Sequence, residues 1–202
     1  KNKYNWKQEV IRKVENPIFD KGSIAVLNGN LAPRSAIIKQ SAASKELLAH
    51  EGVVEVFENL EDLANRIDSL LLKNIGPIGA PGMPEAGLIP IPKKLAKQGV
   101  KDMVRISDGR MSGTAAGTII LHVCPEAAAG GTLDIVKSGD IIKLDVKQRL
   151  LELKLSDEEI AIRKKSKKSN TEIKRRGYDK IFHESVLQAD KGADFDFLRP
   201  VK

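Results

Sequence analysis

A β-rich α/β fold, with a β-barrel, flanking helices and a helical C-terminal arm, is what this 202-residue sequence predicts. Three observations lead there. Short apolar, β-branched runs recur between Gly- and Pro-containing turns from about residue 23 to 155, the spacing of strands in a barrel meander. A capping box at Ser156 opens a helix, and a second helical pattern follows near the C-terminus. Aromatics make up only 4% of the chain while hydrophobic residues make up 41%, so aliphatic side chains must fill the core.

The elements follow in order. Trp6, Val10, Ile11 and Val14 have helical spacing, and Pro17 ends that predicted helix over 5–15. SIAVLNGNLAP (23–33) reads as a buried strand closed by a Gly/Asn/Pro turn, and SAIIKQSA (35–42) as a second strand. Ser44 is placed to cap a short helix over 44–50. VVEVFE (53–58) alternates as a strand, and 59–72 shows a helical apolar face. NIGPIGAPGMPEAGLIPIP (74–92) has too much Gly and Pro for regular structure. A short helix over 93–99 is expected to stop at Gly99, followed by strands at 102–107, 118–123, 132–136, 141–146 and 150–155. Ser156 with three acids behind it starts a helix, and 179–190 a last one. We expect a helical lead-in over 1–20, the barrel over 21–160, and a basic linker with the arm over 161–202. The opening residues lack an initiator Met and read as the middle of a longer protein.

The net charge is +7, but residues 163–176 hold eight Lys or Arg against one Glu and carry the whole excess. A nucleic-acid surface spreads its charge over a folded face, usually with stacking aromatics, so neither nucleic acid nor membrane is an expected partner. No apolar run is long enough to span a bilayer. A lone cysteine, Cys124, excludes an internal disulfide and any cysteine-built cluster or zinc site within the chain, and suits a cytoplasmic location.

Two segments use glycine and proline beyond what folding needs. GPIGAPGMPE (76–85) presents Glu85 from a stiff loop, as a metal ligand or an acid–base group requires. A solvated Glu on a structural loop has the same pattern. RISDGRMSGT (105–114) brings a strand into a Gly-flanked Ser112, exposed where nucleophiles and bases sit, with Arg110 a nearby cation and Asp108 a possible ligand or acceptor. A turn serine capping amides is the alternative. The pattern is not a GxSxG elbow. His50 and His183 read as surface or packing residues, His122 as a hydrogen-bonded core histidine, and Cys124 as a small buried hydrophobe.

In order along the chain, GSIAVLNGNLAPRSAIIKQSA (22–42), GPIGAPGMPE, VRISDGRMSGT, LHVCPEAAAGG (121–131), SGDIIKLDV (138–146) and LSDEEIAIRKK (155–165) resemble the C-terminal half of the dihydroxy-acid and sugar-acid dehydratases, a family that includes phosphogluconate dehydratase. The tail GYDKIFHESVLQADKGADFDFL (177–198) looks like the ending of the pentonate-type enzymes. The resemblance implies a swivelling-domain-like β-barrel packed on an N-terminal dehydratase domain. That partner would supply the cysteines of an iron–sulfur cluster, [2Fe-2S] or [4Fe-4S], and most ligands of a Mg²⁺ ion. It further implies that Glu85 completes the Mg²⁺ site and that Ser112, as alkoxide, abstracts the C2 proton of a 2,3-dihydroxy acid. The cluster iron then draws off the 3-hydroxyl, leaving a 2-keto-3-deoxy acid. Arg110, Asp108, Gly113 and Thr114 are expected to support the site. The implied substrate is an aldonate, with the branched-chain 2,3-dihydroxy acid as alternative. The implied assembly is a homodimer or dimer of dimers, and this segment alone would be inactive. Ile78, Ile75 and Arg34 depart from the family's usual residues. A non-catalytic swivelling or partner-binding domain, and a charged-surface binder using 163–176, are the rival readings.

Overall fold

The structure, a computed structural model, describes residues 10–17, 21–58, 71–167 and 176–199. Its strands are β1 (Ala25–Leu27), β2 (Ser35–Ile38), β3 (Ala49–Val53), β4 (Val56–Phe57), β5 (Leu71–Leu72), β6 (Arg105–Ser107), β7 (Ile119–Cys124), β8 (Ile141–Asp145) and β9 (Leu150–Leu153). Three α-helices accompany them among the described residues: α1 (Lys93–Lys97), α2 (Asp157–Ser166) and α3 (Gly177–Ser185).

The strands form two sheets. The larger runs β1-β2-β7-β6-β5-β4, and the smaller β3-β8-β9. β4, β5, β6 and β7 are parallel neighbours, while β2 and β1 continue antiparallel from β7. Burial explains that division. β5 and β6 are buried at every residue, as strands covered on both faces must be. β1 alternates, with Ala25 and Leu27 inside and Val26 out, which suits an edge. β3 is also an edge, mostly exposed.

Backbone hydrogen bonds join the sheets at both ends. Asn28 N donates to Arg149 O and accepts from Leu151 N through its own carbonyl, each at 2.8 Å. Val54 does the same with Asp140 O and Gly139 N, again at 2.8 Å. Gly29 (φ 153°) makes the first seam possible, because a Cβ there would run into the Leu151 carbonyl. Leu27, Ile38, Ile120, Leu133, Leu144 and Leu151 fill the space between the sheets. A second cluster, Phe57, Leu72, Ile75 and Ile89, packs beneath the 74–92 loop.

The result is a mixed α/β fold, mostly strand, with two seamed sheets; among the described residues neither sheet closes on itself. Ser156 does cap α2, accepting from Glu159 N at 3.2 Å. Other expectations change. The described part of 5–15, residues 10–15, is exposed turn with no helix. Residues 132–135 form a 3₁₀ turn rather than a strand. The helix expected over 44–50 shrinks to the 3₁₀ turn Lys45–Leu47 with no side-chain cap from Ser44, and β3 begins at Ala49, so His50 lies on a strand. The strand expected over 53–58 divides between the end of β3 and β4. Of the helical face read over 59–72, residues 59–70 lie outside the described residues, and Leu71–Leu72 are β5. No described helix is long and apolar enough to cross a membrane.

Candidate active site

Three loops leave the carboxyl ends of adjacent parallel strands. Residues 73–92 follow β5, Asp108–Gly117 follow β6, and Pro125–Gly131 follow β7. The carboxyl edge of parallel strands is where α/β proteins gather binding groups, because the chain must turn there and its loops converge. Both segments singled out for chemistry lie on this edge.

Two buried carboxylates hold the loops together. Asp108, fully buried, accepts from Asn74 N (3.2 Å), Ile75 N (3.1 Å) and Ala127 N (3.0 Å), and so ties all three loops at one point. Burial, aided by the nearby Glu126 charge, pushes its carboxyl up to about 6, against the pull of those amides. Asp108 was expected beside Ser112 as ligand or acceptor. It faces inward instead, with its oxygens occupied.

Glu126, 1% exposed, accepts from Ile78 N and Gly79 N, both at 2.9 Å. Burial raises its pKa as well. Gly76 permits this approach, since a Cβ there would meet Glu126 Oε2 at 2.6 Å. Gln188, from the C-terminal arm, completes the clamp. Its Nε2 donates to Glu126 Oε1 (2.6 Å) while its Oε1 accepts from Glu126 N (2.9 Å). Sequence reasoning missed Glu126 and Gln188. The available signal was a carboxylate closing an apolar strand, which seldom stays buried without partners.

Against this rigid base stands an exposed group. Glu85 Oε1 accepts from Arg110 Nη1 at 3.0 Å, with both side chains about half exposed. Arg110 Nε also donates to Met83 O (2.5 Å), and Gly87 N donates to Arg110 O (2.7 Å). The two expected segments therefore meet through Arg110. Ser112 Oγ lies 3.0 Å from Thr114 Oγ1, and Thr114 N points at it from 3.4 Å. Lys39 Nζ donates to Gly113 O at 2.5 Å, placing a second cation beside the serine. Ser112 and Thr114 form a hydroxyl pair on an open turn, with Arg110 two residues away.

His122 differs from expectation. It sits in β7 at φ 53°, a strained value for a non-glycine residue, and its buried Nδ1 has no hydrogen-bond partner. Burial, then Arg110, lowers its pKa. His183 stands on α3 as read.

A cluster and a metal ion ask for different donors. Burial pushes the Cys124 thiol up to about 11, and its Sγ donates to Asp190 Oδ1 at 3.2 Å, so it is no thiolate ligand. Among the described residues no group of three or more His, Cys, Asp or Glu could hold a metal ion. This chain does not fit a cluster by itself. For Mg²⁺ the exposed Glu85 carboxylate fits as one hard oxygen ligand, and the others would come from outside these residues.

Residues 9–193 match the family model described as Dihydroxy-acid/6-phosphogluconate dehydratase C-terminal. The chain belongs to that family. The dehydratase domain is 49% identical to an L-arabonate dehydratase of Azospirillum brasilense, over 96% of this chain and 36% of that protein. It is 44% identical to a 6-deoxy-6-sulfo-D-gluconate dehydratase of Pseudomonas putida, over 96% of this chain and 36% of the relative. A dihydroxy-acid dehydratase of Clostridium botulinum (strain Alaska E43 / Type E3) is 40% identical, over 92% and 35%. The domain thus spans about a third of the length of the curated relatives it matches.

Proposed function

We propose that this chain is the C-terminal domain of an iron–sulfur, Mg²⁺-dependent dehydratase that converts an aldonate to its 2-keto-3-deoxy acid. The observation that carries the reading is the meeting of Glu85 and the Ser112 turn through Arg110, at the carboxyl edge of parallel strands. The relatives' length beyond this domain is read as the N-terminal partner, carrying the cluster cysteines and the remaining Mg²⁺ ligands. The two seamed sheets are read as an opened barrel of the swivelling type. An aldonate is favoured because relatives named for sugar acids match at 44–49% and the dihydroxy-acid enzyme at 40%. The branched-chain 2,3-dihydroxy acid is the alternative that this last relative supports.

Glu85 would give a bound Mg²⁺ ion one carboxylate oxygen, and such an ion would make the substrate's C2 proton more acidic. Ser112 Oγ takes that proton. A serine alkoxide is far too basic in water, so it needs cations close by. Arg110 lies two residues before it in the chain, and Lys39 donates to the carbonyl of Gly113, the residue after it. Thr114 offers Ser112 a hydrogen-bond partner that holds the Oγ in place. Asp108 and Glu126 keep the loops from moving.

The test is Ser112→Ala in the complete, cluster-loaded protein, assayed anaerobically on aldonates. Formation of 2-keto-3-deoxy acid should fall by roughly 10²–10⁴-fold, the usual contribution of a positioned general base, with iron content unchanged. Activity within a few-fold of the parent would remove Ser112 from the chemistry.

A further inference from the structure

Beside Arg110 lies a cavity of about 490 Å³, formed between β2, β7, the glycine loop and the C-terminal arm. Its polar lining comes from four places: Ser35 on β2, His122 on β7, Arg110 after β6, and Asp190 on the arm. The cavity adjoins the proposed reaction centre on two sides. Arg110 belongs both to its wall and to the Glu85 pair. Ser35 and Ile37 alternate onto the cavity from β2, and Lys39, next in that alternation, reaches the Gly113 carbonyl beside Ser112.

The wall is built for polar contact rather than left polar by chance. Asp190 is fixed by a two-pronged pair with Arg34, whose Nε donates to Oδ2 at 2.9 Å, and by the Cys124 thiol. Its side chain is only 17% exposed, and Arg34 and Cys124 between them occupy both carboxylate oxygens, so Asp190 fixes the wall. The turn that carries it folds back on itself through Ala193 N to Gln188 O (3.2 Å), and Gln188 is bonded in turn to Glu126. Across the cavity His122 is held in its strained backbone by a hydrogen bond from its N–H to Gly109 O. Strain of this kind persists where the surroundings enforce it, typically beside a ligand.

Resting on the dehydratase reading above, we infer that this cavity receives the hydroxylated tail of the substrate, with Ser35 and His122 as the residues that select sugar acids over branched-chain acids. A polyol tail presents hydroxyls that both donate and accept. Arg110 donates, and Ser35 and His122 do either. An isopropyl-like tail satisfies none of them and would leave desolvated polar groups unpaired, the asymmetry by which a hydrogen-bonding pocket rejects an apolar analogue.

The experiment compares kcat/KM for four-, five- and six-carbon aldonates and for the branched-chain 2,3-dihydroxy acid, in the complete cluster-loaded protein and in Ser35→Ala and His122→Phe. The parent protein should prefer the five-carbon aldonate to the four-carbon one by about tenfold or more, the scale set by one hydroxyl read in a polar pocket. In both variants the ratio of five-carbon aldonate to branched-chain acid should collapse by a similar factor. A parent series flat in chain length, or variants that lose all substrates in equal proportion, overturns the tail pocket while leaving the dehydratase reading standing. Turnover of none of these acids by the parent protein removes that reading instead, and the pocket with it.

Discussion

Glu85 and Glu126 are both glutamates on loops at the same sheet edge, and the fold treats them in opposite ways. Glu126 is sealed from water and accepts two backbone amides and a carboxamide. Glu85 is half exposed, with one arginine for company. A carboxylate that serves the fold has its lone pairs filled, whereas one kept for chemistry has to retain free ones. The same contrast separates Asp108, spent on three amides, from Ser112, whose hydroxyl meets only its neighbour Thr114.

Variants can break that contrast or sharpen it. After Ser112→Ala, the largest effect should come from Glu85→Gln, which ought to lower turnover of the complete protein by on the order of 10²–10³-fold, as loss of one electrostatic contact to developing charge does. Its melting temperature should scarcely move, because an exposed ion pair is worth about 0.2–1 kcal/mol. A large drop in melting temperature would put Glu85 on the structural side.

Glu126→Ala should do the reverse. Stranding two amides and the Gln188 carboxamide should cost about 3 kcal/mol, judged from roughly 1–3 kcal/mol for each buried polar group left unpaired. Urea unfolding of the domain measures this directly, and an unchanged midpoint would mean that water replaces the carboxylate without loss.

Asp108 predicts a pH dependence. Its carboxyl holds a proton up to about pH 6 in the folded chain, against an ordinary value of 3.8. Between those values the folded state binds more protons than the unfolded one, so this group's contribution is complete below the lower value and is lost as pH rises through the upper. The window is worth about 3 kcal/mol. Asp102 works the other way and lower down. Although burial raises it, hydrogen bonds from Thr118 and Ser44 hold it at about 2, so its contribution is lost as pH falls below 3.8. Asp108→Asn should therefore flatten the stability profile between about pH 4 and 6 alone; a slope that survives the substitution belongs to another group. The smallest effect is expected from Ser156→Ala, about 1 kcal/mol for a lost N-cap, with turnover unchanged.

The contrast also sorts what the sequence could reveal. The turns that carry Glu85, Ser112 and Arg110 were legible because glycine and proline around them mark backbone that regular structure does not need; the roles proposed for these residues come from the resemblance. Ser156 announced α2 through local chemistry alone. Asp108 carried the right residue type, but only the fold shows that its oxygens are filled by amides 19 to 34 residues away. Gln188 and Asp190 have no local pattern, since their partners lie 62 and 156 residues back. The 3₁₀ turn at Thr132–Ile135 looked like a strand because a buried apolar run has no period to betray it. The closely spaced late strands suggested a meander, and β8 and β9 do pair that way, but the parallel middle, β4 to β7, escaped because long excursions between strands leave no hairpin signal.

The pairing of Arg34 with Asp190 has a consequence for how the molecule is made. The two residues are 156 positions apart, and synthesis proceeds at about 5–20 residues per second. Arg34 therefore leaves the ribosome roughly eight to thirty seconds before Asp190 exists. During that interval Arg34 has no Asp190 and Glu126 has no Gln188, so the nascent chain holds two unmatched charges where the finished one holds a sealed wall. A stop codon after α3 would leave every strand described here in place and that wall never built.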